Sequence, residues 1–197
     1  MELSEQIKDL QSLEIRQKIR IWEPFMRKYC CNVIAEIGIS KGHNFSQLIR
    51  HNPTIAVAVD AWRDDGVRSR NDAGFSQDEL DEQYLNFKNE IADKPFVKIY
   101  REYSFDAVEH FEDEIFDMVY IDADHTYEGC IQDIKNWYPK VKKGGVLAGD
   151  DYRISTYWPG VVFGVIEAVN KFVKDTNLQR SFFELPRYGW GIIKPKL

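Results

Sequence analysis

The stretch Tyr-Ile-Asp-Ala-Asp-His-Thr-Tyr-Glu-Gly, residues 120–129, runs out of an apolar segment into Asp122, Asp124 and His125. A second acidic pair, Asp150 and Asp151, closes the run Gly-Gly-Val-Leu-Ala-Gly-Asp-Asp, 28 and 29 residues after Asp122. Carboxylates converging at neighbouring strand ends repel one another, so they need basic partners or a divalent cation. Oxygen-only ligation by Asp122, Asp150 and Asp151 suits Mg²⁺, Ca²⁺ or Mn²⁺. A cation held in this way keeps positions for substrate hydroxyls and lowers the pKa of a bound one.

A second constellation lies upstream. Glu36-Ile-Gly-Ile-Ser-Lys-Gly places Gly38 and Gly42 between an apolar run and a helical pattern. The spacing is GxxxG. The GxGxxG of dinucleotide binders is missing, and with it the close backbone approach that a pyrophosphate requires. A ligand without phosphate, lying along the loop, fits better. Asp60 ends the next apolar run, 18 residues after Gly42, where a carboxylate can accept hydrogen bonds from a ribose diol. A plain strand-to-helix turn with an unrelated surface acid is the competing reading of these residues.

The elements that must position these groups alternate along the chain. Apolar runs at 32–38, 54–62, 96–100, 116–122 and 144–151 read as strands, several of them buried on both faces. Helical periodicity falls at 43–51, 76–91, 104–111, 127–141 and 161–173, with Ser76 and Glu79 spaced as a capping box. Two last runs, 181–186 and 190–195, are separated by a tight turn and pair antiparallel. Residues 1–30 form a helical cover over a core at 32–195, and the chain reads as one domain over 1–197. The order predicts an α/β fold, a Rossmann-like doubly wound sheet with helices on both faces. Ligand sites in such sheets lie outside the carboxyl ends of the strands. Glu36, Asp60, Asp122 and the Asp150–Asp151 pair stand at those ends.

Composition narrows the function classes. The formal net charge is −6 and no long basic run occurs, which argues against nucleic acid. Three cysteines, two of them adjacent, make no disulfide framework or zinc spacing. No apolar run is long enough for a membrane helix and the first residues lack a signal-peptide pattern, so a cytoplasmic location is expected.

The combination ExGxxxG, a strand-end acid at Asp60, Tyr-Ile-Asp-Ala-Asp-His and Gly-Asp-Asp resembles class I S-adenosylmethionine-dependent methyltransferases. It looks most like their small-molecule and sugar O-methyltransferase branch with a DxDH motif, over roughly residues 32–195. The resemblance implies a seven-stranded sheet with an antiparallel last strand. It also implies Glu36, Gly38 and Gly42 around the methionine part of the donor, Asp60 on the ribose, and Trp62 and Ser104 near the adenine. Asp122, Asp150 and Asp151 match the metal-ligating positions of the metal-dependent members, and Asp122 also borders the donor in metal-free ones. His125, three residues after the first acid, stands where several members carry a general base; a free imidazole pKa near about 6.5 suits that task. Asp124 is read as a cap of the next helix or an orienting group for His125.

A hydroxyl is a poor nucleophile at neutral pH, so a base or a metal beside a methyl donor favours O-methylation of a small molecule or sugar. Arg63, Arg68, Arg70, Arg153, Tyr157 and Trp158 sit in two polar loops that border the acceptor side. A homo-oligomer stays open, since no stretch marks an interface. Three other readings stay open as well. They are a metal-independent enzyme acting on an amine or carboxylate, a donor-binding protein without catalysis, and a nicotinamide-dependent oxidoreductase, which the missing GxGxxG disfavours.

Overall fold

The computed structural model describes residues 19–63, 74–154, 162–185 and 188–196. Strands β1 (Val33–Ile37), β2 (Ile55–Val59), β3 (Val97–Tyr100), β4 (Phe116–Ile121), β5 (Val141–Gly149), β6 (Phe182–Leu185) and β7 (Gly189–Ile193) form one seven-stranded sheet. Its order is β3-β2-β1-β4-β5-β7-β6. The pairs among β1 to β5 are parallel, while β7 runs antiparallel to both β5 and β6. The sheet reverses direction of growth between β1 and β4, the position at which doubly wound folds open a ligand crevice.

Helices α1 (Ile19–Tyr29), α2 (His43–Leu48), α3 (Gln77–Glu90), α4 (Ser104–Ala107), α5 (Tyr127–Trp137) and α6 (Val165–Asp175) cover both faces. Alternate residues of the buried strands face opposite ways, and the core divides accordingly. Ala56 and Ala58 pack with Trp22 and Met26 of α1, Phe45 of α2 and Phe87 of α3. Ala35, Ile37, Val57 and Val59 face the other layer, with Ile134 and Trp137 of α5 and Val169 and Phe172 of α6.

The helix starts follow their capping chemistry. Ser76 accepts the amide hydrogen of Glu79, and the Glu79 carboxylate takes the Ser76 amide at 2.7 Å. Thr126 caps α5 through the Gly129 amide at 3.1 Å. The run expected as helix from 161 starts only at Val165, because Gly164 is the cap and donates its amide to the His125 carbonyl at 2.8 Å. Asp117, at the opposite end of the sheet from the strand tips, accepts the amides of Asn32 and Val33 and pairs with Lys142, a structural role at the start of β1.

Among the described residues no helix is long and apolar enough to cross a membrane.

Candidate active site

Parallel register brings the tips together. Ile37 stands opposite Ile121, and Ile121 opposite Gly149, so Asp122 and Asp150 leave adjacent strands side by side. Gly38 makes the first of these junctions feasible. Its φ is +88°, and a Cβ there would lie 2.0 Å from the Asp122 carbonyl oxygen. No side chain fits between the β1 and β4 tips. Gly42 has φ +76°, and a Cβ there would meet the Phe87 ring at 2.4 Å.

A cavity of about 490 Å³ lies over these tips, walled by Glu36, Gly38, Asp60, Trp62, Ser104 and Asp122 among others. Six of the residues predicted for the donor or its neighbourhood therefore share one cavity, and His125 lines it too. Gly42 is set back from that wall, where it caps α2.

Asp60 does more than close β2. Its Oδ2 accepts the amide hydrogens of Ile39 and Ser40, both at 2.8 Å, and its Oδ1 accepts that of Trp62 at 2.7 Å. The carboxylate thus ties the glycine loop to the β2 tip and keeps room on Oδ1 for a further donor. Ser40 and Trp62 hold left-handed backbones at φ 50° and 41°, as does Asp151 at 55°. Strained residues of this kind gather at binding and catalytic sites. The Trp62 indole is buried, donates to the Ser40 carbonyl at 2.9 Å and packs on Tyr84 and Phe87.

Glu36 is almost fully buried. Asn44 donates to its Oε1 at 3.1 Å, and Oε2 has no hydrogen-bond partner among the described residues. Burial pushes its carboxyl well above the ordinary range; the Asn44 bond works against that shift, and the charges of Asp122 and Asp60 add to it. An orphaned acceptor inside a cavity marks a position for a ligand's donor.

At the other end of the cavity, His125 Nε2 lies 3.3 Å from Oδ1 of Asp122 and 3.2 Å from Oδ2 of Asp151. The second Asp151 oxygen pairs with Arg153 Nε at 2.9 Å. The Phe163 ring stacks on the imidazole, and the Arg153 guanidinium lies over the rings of Phe163 and Tyr188. Ligand atoms of Asp122, His125 and Asp151 fall within 4.8 Å of one another. Asp150 stands apart from that trio; its Oδ1 accepts the Asp151 amide at 2.5 Å and supports the turn. Asp124 accepts the Thr126 amide at 2.8 Å, beside the α5 cap that Thr126 itself provides.

Sequence reasoning passed over Asp133. This α5 residue is 5% exposed, lines the cavity and hydrogen-bonds Ser104. Ser104 in turn accepts the Trp137 indole N–H at 2.8 Å. Burial pushes the Asp133 carboxyl up to about 7; the Ser104 bond opposes the shift and Asp124 adds to it. An acid among the apolar positions of Cys-Ile-Gln-Asp-Ile was the available signal. Phe163 was also missed, having been absorbed into a helix. His51 and His110 are engaged elsewhere, with the Leu48 and Cys31 carbonyls and with Glu102. His43 lines the cavity, as does the exposed Arg63. Arg68, Arg70, Tyr157 and Trp158 lie outside the described residues.

Known proteins share this fold. The O-methyltransferase NovP superposes with a TM-score of 0.65 at 16% identity, covering 90% of this chain and 78% of that one. TomG, an O-methyltransferase from Streptomyces achromogenes solved in complex with SAM, gives 0.62 at 13% identity over 98% and 89%. At such identities the likeness is one of fold. Uncharacterized protein R132 of Acanthamoeba polyphaga mimivirus is 41% identical over 59 residues, 30% of this chain. The match spans only 25% of that relative's length. A family model described as "Methyltransferase domain" matches residues 35–152, the span from β1 to just beyond the acidic pair. The chain is therefore a member of this methyltransferase domain family.

Proposed function

We propose that the chain is an S-adenosylmethionine-dependent O-methyltransferase acting on a hydroxyl of a small molecule or sugar. The observation that carries this reading is that His125 and Asp122 line the same cavity as Glu36, Gly38 and Asp60. A candidate proton acceptor and the candidate donor cleft are contiguous. The unpartnered Glu36 Oε2 suits the donor's ammonium group, and Asp60 Oδ1 suits a ribose hydroxyl. The bound donor supplies an electrophilic methyl group on a sulfonium.

The chain's own residues supply the rest. The acceptor hydroxyl gives its proton to the cluster of His125, Asp122 and Asp151 as its oxygen takes the methyl group, and the donor leaves as the neutral thioether. The imidazole stands between Asp122 and Asp151, which stabilise its protonated form. Arg153 and the Phe163 ring hold that assembly in place.

A second reading has its own support in the compact Asp122–His125–Asp151 trio, which fits a divalent cation. A cation there would polarise the acceptor oxygen. The set includes an imidazole nitrogen, so it favours Mn²⁺ or Zn²⁺ over Mg²⁺ relative to three carboxylates. His125 would then be a ligand, because one nitrogen lone pair cannot both bind a metal and take a proton.

The deciding experiment is calorimetry of S-adenosylhomocysteine with metal-stripped protein, followed by an assay on a panel of hydroxyl acceptors with and without chelator. Donor-product binding with chelator-resistant turnover that drops ~10²–10⁴-fold in His125→Asn supports the base role. Turnover abolished by chelator and restored by Mn²⁺ supports the metal reading. No binding of S-adenosylhomocysteine would overturn both.

A further inference from the structure

Resting on the methyl-transfer reading above, we infer that the acceptor is a hydroxylated apolar molecule with a positively charged amine on its tail, and that the tail lies in a second cavity beside the candidate base. That cavity has a volume of about 410 Å³. It shares the Phe163 ring with the base: the ring stacks on His125 and also walls the cavity. Thr126, the residue after His125, and Arg153, the partner of Asp151, belong to the same wall. A molecule that presents its hydroxyl to His125 has this cavity next to its reacting end.

The lining sets the body of the occupant. Tyr127, Ile154, Val162, Phe163 and Ile166 contribute apolar surface. Ile154 is 93% exposed and Val162 69%. Large aliphatic side chains left in water on a concave wall gain by meeting an apolar ligand, and a bare sugar offers them little.

The charges set the tail. Arg153 is the only cation among the described lining residues, and it is engaged. Its Nε pairs with an Asp151 oxygen at 2.9 Å, and its guanidinium lies over the rings of Phe163 and Tyr188. Glu128, in the first turn of α5, and Glu167, in the first turn of α6, line the cavity too. An acid at each helix start suits the helix dipole, but that alone does not require both to border one cavity. With the guanidinium answered by Asp151, two carboxylates remain to attract an ammonium group and repel an anion.

The test uses protein saturated with S-adenosylhomocysteine and three phenols of similar shape. Tyramine has a cationic tail, tyrosol a neutral one and 4-hydroxyphenylacetate an anionic one. Calorimetry at low ionic strength is expected to rank their affinities in that order, with ~10-fold between the extremes. Glu128→Gln combined with Glu167→Gln, both at exposed positions, should bring the extremes within ~3-fold of each other and leave S-adenosylhomocysteine affinity unchanged. Val162→Trp, also at an exposed position, fills the cavity and should weaken tyramine ~10-fold or more. An unranked series overturns the proposal, as does a ranking that survives the double variant, tyramine binding that Val162→Trp leaves intact, or no binding of any of the three while S-adenosylhomocysteine binds. If S-adenosylhomocysteine itself does not bind wild type, the methyl-transfer reading fails and the proposal with it.

Discussion

The ring of Phe163 lies flat on the imidazole of His125, with centroids 4.7 Å apart and planes 11° from parallel. Phe163 belongs to the turn before α6, and the next residue, Gly164, donates its amide to the His125 carbonyl. The turn therefore fixes both the backbone and the ring of the residue proposed as base. Phe163 is buried at 9% exposure, and the Arg153 guanidinium lies over its ring as well.

Replacing Phe163 by Ala should thus spare the donor and injure the chemistry. Calorimetry should show S-adenosylhomocysteine affinity within ~2-fold of wild type, while kcat falls on the order of 10²-fold through loss of alignment. An unchanged kcat would mean that the stack is only packing.

The two acids after β5 should separate under mutation. Asp150→Asn keeps an oxygen for the Asp151 amide, whereas Asp151→Asn removes a charge from the trio and from Arg153. Mn²⁺ binding, followed by its electron paramagnetic resonance signal, should weaken on the order of 10-fold or more in Asp151→Asn and little in Asp150→Asn. Equal losses would place Asp150 among the ligands as well.

Gly38→Ala should unfold or badly loosen the domain. The added methyl meets backbone atoms of Asp122 and Ala123, which cannot move without parting β1 from β4. A loss above about 3 kcal/mol in urea unfolding is expected, from overpacking and an unfavourable φ together. A loss below about 1 kcal/mol would show that the tips tolerate separation.

Asp133 should leave a signature in the pH dependence of stability. Its carboxyl is raised to about 7 in the folded chain. Between an ordinary unfolded value near about 3.9 and that folded value, the native state holds the proton and the unfolded state does not. Stability therefore falls as pH rises through this window and levels off above it. Glu36 acts in the same direction. Asp133→Asn removes its share, so between pH 4.5 and 7.5 the variant should gain on the order of 1–3 kcal/mol relative to wild type. Parallel urea midpoints for both proteins across that range would contradict this.

Much of the architecture is legible in the residues alone. Continuous β-branched and alanine runs such as Ile55–Val59 are buried on both faces, and alternating with helical segments they point to a parallel sheet covered by helices on both sides. The alternation of runs then orders the strands, and acids placed right after them fall at one edge. Glu36, Asp60 and Asp122 needed nothing more to be found, because chain order carries a strand end directly into the crevice. Ser76 and Glu79 likewise act within one turn, so spacing settles their bonds.

Tertiary packing decided what spacing could not. Whether Asp150 or Asp151 meets His125 depends on one left-handed residue, φ 55° at Asp151, which swings adjacent side chains in different directions. Asp133 joins Ser104 across 29 positions of sequence because α4 and α5 share a face of the sheet, a contact with no local code. Phe163 reaches His125 because Gly164 halts the helix and turns the chain back. Local periodicity states which face of an element is apolar. Which side chains then meet across elements is set by close packing of the whole core, and that is where the candidate base gained its partners.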